Sequence, residues 1–331
     1  MSRSAGIDVA ARTAVLTILH EDRVETTKII EQTAKGHQQA VALLSKCNPD
    51  RVVLEATGIY YLDLALALAE AGLPVSVINP KSSHHFAKGM LEHNKTDQVD
   101  ARLFAQYGER MRPRLWTPPT ATQLSLRTLG RHANRLVAAR TRAKNQLHAY
   151  TASKEQVDLI VEDLKDEITA FDRRIERIRK AAIEQIESDQ RLQHVAKAIL
   201  AAPGIAEVSL ISILAELTTL PDTLKSSQVS RHAGLDVRLT QSGTSVNKPG
   251  RLGKAGNTYL RSALFMPAMS AVRFDPYAKG FYDVLLGRGK KKMQAIAAVM
   301  RKYLTGIWAC MRSGEPFDTA KLFSEKHLLK A

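Results

Sequence analysis

The 331 residues carry a net charge of +15, a pI near 9.8, 44% hydrophobic side chains and only 5% aromatic ones. That length exceeds one ordinary core, so two or three domains are expected, and the charge favours a polyanionic partner, nucleic acid before a membrane surface. Two cysteines in separate regions, Cys47 and Cys310, exclude a disulfide framework or a zinc site and point to the reducing cytoplasm. The start of the chain lacks the apolar stretch of a signal peptide, and the most apolar helix, Met293–Met311, is broken by Arg301 and Lys302, which excludes a membrane span.

Ala5–Val9, Ala14–His20 and Val24–Ile30 read as strands, followed by a helix over Gly36–Lys46, a buried strand over Arg51–Glu55, a helix over Tyr60–Ala71 and a strand over Val75–Asn79 stopped by Pro80. A three-strand meander followed by strand–helix alternation is the order of a ribonuclease-H-like α/β domain, here residues 1–115. Helices over Ser82–Leu91 and Asp97–Met111 complete it. Pro113, Pro118 and Pro119 mark a boundary. Residues 116–190 then read as a basic helix, Ala121–Thr151, and a coiled-coil segment. Between Arg110 and Lys144 there are nine Arg/Lys and no acid, and Arg127, Arg131, Arg135 and Arg142 lie close to one helical face. Nucleic-acid backbone contact competes there with a plain solvated face.

The apolar positions Val157, Val161, Leu164, Ile168, Phe171, Ile175, Ile178 and Ala182 alternate spacings of four and three, a heptad seam that suits either the preceding helix or a second subunit, with a slight lean to the latter. The third part, 191–331, reads as mostly helical. Ile199–Ile205 with Val208–Leu217 has the pattern of a helix-hairpin-helix, in which a Gly-bearing turn offers N–H groups to a phosphate; a purely structural turn fits equally.

Four acids stand out: Asp8 in an apolar strand, Glu55 at the end of Val52–Leu54, and Asp97 and Asp100 at the start of a helix. Each alone reads as a cap or strand-end residue. Gathered without cations they repel, and Mg²⁺ or Mn²⁺ held by hard oxygen ligands is the usual remedy. Ser242 lies in the polar stretch Thr240–Ser245, where serine is ordinarily a turn former.

Several stretches resemble one family in order: Gly6-Ile7-Asp8, Leu54-Glu55-Ala56-Thr57-Gly58, Val77-Ile78-Asn79-Pro80, Asn94 through Arg102, Pro203-Gly204-Ile205, Ala233-Gly234-Leu235, Gln241-Ser242-Gly243, and Arg251 through Asn257 with Leu260-Arg261. The chain is similar to insertion-sequence transposases with an N-terminal RuvC-like DEDD domain, relatives of the Piv-type invertases. The resemblance implies that Asp8, Glu55, Asp97 and Asp100 are the catalytic metal ligands and that Ser242 is the nucleophile of a covalent serine–DNA linkage. It also implies DNA as donor and target, a structured guide (bridge) RNA as partner, and a homodimer or higher assembly. The departure Asp236-Val237 after Gly234-Leu235 bears on the local loop path. Arg251, Lys254 and Arg261 beside the serine are candidate DNA contacts. Two other readings stay open: a metal-only nuclease of the junction-resolvase kind with Ser242 a spectator, and a non-enzymatic nucleic-acid-binding protein.

Overall fold

The computed structural model describes residues 2–154, 156–242 and 246–324, the side chains of 246–249 excepted. The chain divides into two compact units, Met1–Pro118 and Pro119–Ala331.

The first unit is mixed α/β. Strands β1 (Arg3–Val9), β2 (Thr13–His20) and β3 (Arg23–Glu31) form an antiparallel meander, and β4 (Arg51–Glu55) and β5 (Val75–Ile78) add in parallel to give the order β3-β2-β1-β4-β5. Helices α1 (Ala34–Cys47), α2 (Tyr61–Glu70), α3 (Pro80–Gly89) and α4 (Asp97–Met111) connect or cover it. Strand alternation sorts the two faces of β1. Ala5 and Ile7 enter a core with Leu44 of α1 and Leu64 and Leu68 of α2. Gly6 turns the other way, under α4, and a Cβ there would run into the backbone at Ala101 and Ala105. Asp8 is two residues on and shares that face. On β4, Val53 packs with Phe104 of α4, so Glu55 also lies on the α4 side.

Gly6→Ala therefore forces β1 and α4 apart where both positions are rigid backbone. A loss of about 3 kcal/mol or more is expected, read as a lowered melting temperature or failure to fold.

The expected strands and helices of this unit are present with ends shifted by a few residues. Helix α3 begins at Pro80 because Asn79 caps it, accepting from Lys81 N at 2.8 Å, with proline at the first helical position. Trp116 and Tyr61 pack on the apolar core, whereas Tyr60 is half exposed.

The second unit is mostly helical. It comprises α5 (Ala121–Thr151), α6 (Asp158–Glu187), α7 (Gln190–Leu200), α8 (Glu207–Leu217), α9 (Ser226–His232), a hairpin of β6 (Val237–Ser242) and β7 (Val246–Leu252), then α10 (Thr258–Ala263), α11 (Phe265–Phe274), α12 (Pro276–Gly287), α13 (Lys292–Ser313) and α14 (Thr319–Phe323). Thr120 and Gln123 make a capping box at the head of α5. The heptad face of α6 meets α5 of the same chain: Val161, Leu164, Ile175 and Ala182 are buried, and Arg140 pairs with Asp172 across the two helices. Leu126 of α5 and Ala182 and Ile186 of α6 continue into the core around Trp308 and Tyr303. The turn between α7 and α8 is pinned by Tyr303, whose hydroxyl donates to Pro203 O at 2.9 Å. Gly204 in that turn has φ +81°, a left-handed conformation, and abuts Pro267 and Ser270 of α11.

Candidate functional site

The carboxyl ends of parallel strands are where open α/β sheets place ligands. In the first unit Asp8 and Glu55 stand near the carboxyl ends of adjacent strands β1 and β4, and the amino end of α4 brings Asp97 and Asp100 to the same place. All four line one cavity of about 680 Å³, shared with Ser83, His93 and Lys95. Neither aspartate of α4 is its cap. Thr96 has that role, accepting from Val99 N at 3.2 Å, which leaves both carboxylates beside the positive end of the helix.

The acids act on one another. Burial, then the charges of Asp100, Asp97 and Glu55, push the Asp8 carboxyl up to about 6. Asp100 is raised by burial; Lys95 opposes this, and Glu55 and Asp97 add to it. Glu55 is held by two hydroxyls, Thr57 Oγ1 and Ser83 Oγ, each donating to a different carboxylate oxygen. The donors are hard oxygens, which suits a divalent cation of the magnesium class. As placed, however, no three His, Cys, Asp or Glu side chains among the described residues form a group able to hold one ion. The set fits such a metal in donor chemistry and shared location.

In the second unit Ser242 is the last residue of β6 and is exposed; Gly243, Thr244 and Ser245, which follow it in the expected polar stretch, lie outside the described residues. His232, at the end of α9, lies at the other end of this segment. The five steps from Val237 to Ser242 alone span roughly 17 Å of extended strand. The imidazole makes a 3.4 Å contact with Asn257 Nδ2. Desolvation lowers its pKa, Glu216 raises it and the guanidinium charges of Arg127 and Arg131 lower it again.

The arginine stripe of α5 divides. Arg131 donates to both oxygens of Glu216 in α8, at 2.6 and 2.8 Å, and Arg127 approaches the same carboxylate at 4.0 Å. Arg135 and Arg142 are exposed. Arg251 and Lys254 are also exposed, whereas Arg261 donates to Ala233 O at 2.9 Å. Sequence reasoning missed Ser83, Thr57 and Glu216. For Glu216 a signal existed: it is the one charged residue within the apolar run Val208–Leu217.

Residues 5–153 match a DEDD transposase model of the IS110 type, and residues 196–283 match the model described as transposase IS116/IS110/IS902 family. The chain is 34% identical over 273 residues to the pilin gene-inverting protein of Moraxella bovis, covering 81% of each chain. The chain belongs to the IS110-type transposase family. This transposase is also 24% identical over 328 residues to the transposase of insertion element IS1111A from Coxiella burnetii, with 88% of this chain and 86% of that one covered. A solved Thermus thermophilus RuvC covers 34% of this chain and 98% of its own length at 16% identity and a TM-score of 0.29. Family membership makes the chain a DNA recombinase, an enzyme that cuts and rejoins DNA. No helix among the described residues is long and apolar enough to cross a membrane.

Proposed function

We propose that this transposase breaks and rejoins DNA through a covalent link between Ser242 and a strand phosphate, assisted by a divalent cation, Mg²⁺ or Mn²⁺, held by Asp8, Glu55, Asp97 and Asp100. The observation that carries the metal half is the meeting of four carboxylates from β1, β4 and α4 in one cavity, with Asp8 raised to about 6 by burial and by its neighbours. The ion would stabilise charge on the attacking and leaving oxygens of the scissile phosphate. Ser242 Oγ forms a bond to phosphorus as a deoxyribose oxygen leaves with the proton that the serine gave up. In the reverse step a deoxyribose hydroxyl of the receiving strand displaces the serine. One phosphodiester is exchanged for another, so rejoining needs no nucleotide triphosphate. The serine half rests on the match of Gln241-Ser242 to the family motif and on the exposure of Ser242 at a strand end.

Arg135, Arg142, Arg251 and Lys254 contact nucleic acid phosphates in this reading; Arg127, Arg131 and Arg261 are engaged within the fold and contribute local positive charge. The α7–α8 turn contributes N–H groups to a phosphate. A structured guide RNA and a dimeric or higher assembly complete the reading, both on resemblance to the family. The Moraxella relative is named for inverting a gene and the Coxiella relative for transposing an element. Both outcomes call for strands that are cut and rejoined.

The test is incubation with end-labelled DNA carrying the ends of an encoding element, with and without the associated RNA, followed by denaturing electrophoresis. Label migrating with protein in Mg²⁺ and absent under chelation is the expected result. Metal-dependent cleavage that leaves only protein-free ends favours a metal-only nuclease, and no cleavage at all favours a binding protein.

A further inference from the structure

Strand β6, which ends in Ser242, is exposed along its length, so its aim is set where it joins the helical core. From the hairpin downward the two chain segments stay paired: Gly253 N donates to Asp236 O at 2.8 Å, Lys254 N to Gly234 O at 3.0 Å, and Asn257 N to His232 O at 2.7 Å. Glycines let them close. A Cβ on Gly256 would strike the backbone of His232 and Gly234, and Gly234 itself has φ +68°. At the last rung Asn257 does two further things. Its Oδ1 caps α10 by accepting from Leu260 N at 3.1 Å, and its Nδ2 donates to Glu216.

Glu216 is 2% exposed, the one charged residue in the run Val208–Leu217. Burial pushes its pKa up, but the hydrogen bonds from Arg131 and Asn257 and the charges of Arg131 and Arg127 outweigh that and hold it below the usual range, so it stays ionised. Arg131 also lies over the Tyr259 ring, 5.1 Å from its centroid. One buried charge thus ties α5, α8 and the root of the hairpin together. Replacing the whole buried pair by apolar groups would often serve stability as well; what the charged pair adds is direction, because a carboxylate bonded to a fork and an amide accepts few arrangements.

We propose that Glu216, through Asn257, is a positioning residue that fixes the orientation of the Ser242 hairpin on the core. The inference rests on Ser242 being the nucleophile. Glu216→Gln keeps the side-chain shape but weakens the bonds to Arg131 and Asn257, which costs some stability and frees the root, so serine attack slows more than the apolar core loosens.

Full-length Glu216→Gln, Asn257→Asp and the double variant, which exchanges carboxylate and amide across the same contact, test this in two ways. Each single variant is expected to form the DNA adduct about tenfold more slowly at saturating DNA, matching the loss of one charge-assisted hydrogen bond. The double variant recovers most of the rate. Backbone hydrogen exchange at Gly253, Lys254 and Asn257 rises in the single variants, while that of α7 and α13 does not. Adduct formation at the wild-type rate in either folded single variant overturns the proposal. So does exchange that rises equally throughout the unit, since that marks general loosening. If the wild-type protein gives no adduct at all, the serine reading fails instead, and the exchange at the root still reports on Glu216.

Discussion

Asp8→Asn is expected to abolish DNA cleavage and, in the absence of metal, to raise the melting temperature. The two effects have one cause. Asp8 is half-buried beside three other carboxylates, and its pKa rises from 3.8 to about 6. For an acid whose folded pKa is raised, the sign runs against the charged form: the stabilising contribution is complete below about pH 4 and is lost as pH rises through about 6. At pH 7 the folded protein therefore carries a cost, about 1–2 kcal/mol once solvent screening at this partly open cavity is allowed for. Asparagine has the same shape and no charge, so the cost disappears and melting moves up by several degrees. The gain should vanish at pH 4, where Asp8 is already protonated. Cleavage behaves oppositely. Metal binding requires the deprotonated carboxylates, so losing one ligand should cost about a hundredfold or more. Wild-type activity at limiting Mg²⁺ should also fall as pH drops below 6. Melting curves in chelator and in Mg²⁺, at both pH values and beside cleavage rates, check the whole argument. A folded Asp8→Asn protein that cleaves normally would remove the acidic cavity from the chemistry.

How much of this was legible beforehand depended on how local the signal was. Helix α4 runs over Asp97–Met111 as read, because Thr96 supplies a cap and the apolar positions Ala101, Phe104, Ala105 and Gly108 repeat at helical spacing. The grouping of Asp8 with Glu55 was readable because strand alternation ties each to a neighbour, Gly6 or Val53, that can face only the covering helix. The heptad seam of α6 announced its burial but not its partner: periodicity states which face is covered, never by what, and the covering helix is α5. The β6–β7 hairpin left only a faint trace: Val237 and Leu239 alternate with Arg238 and Thr240, but the run is short and every β6 residue is exposed, so no buried face marks it. The arginine stripe hid an internal partner. Spacing placed Arg127 and Arg131 on one face correctly, but their partner Glu216 lies 85 residues from Arg131, beyond any local pattern.

Ser242→Ala is expected to eliminate the protein–DNA adduct, a loss of about a thousandfold or more, while leaving the melting temperature within measurement error. The stability half follows from position: Ser242 ends an exposed strand, and surface substitutions of that kind stay within about 0.5 kcal/mol. The chemical half follows from what a serine needs. A hydroxyl is a poor nucleophile until a base or a cation draws off its proton. His232 sits at the hairpin root, where its imidazole lies 3.4 Å from Asn257 Nδ2 and feels the Glu216 charge, at the far end of the segment from Ser242. In the proposed reading, activation falls to a cation that the acids would hold, and the two variants should separate cleanly. Asp8→Asn removes strand breakage of every kind. Ser242→Ala removes the covalent product but leaves the acidic cavity intact, so any residual breakage is hydrolytic and metal-dependent. Normal rejoined product from folded Ser242→Ala protein would mean that another hydroxyl carries the strand, and the family motif would then mark a turn.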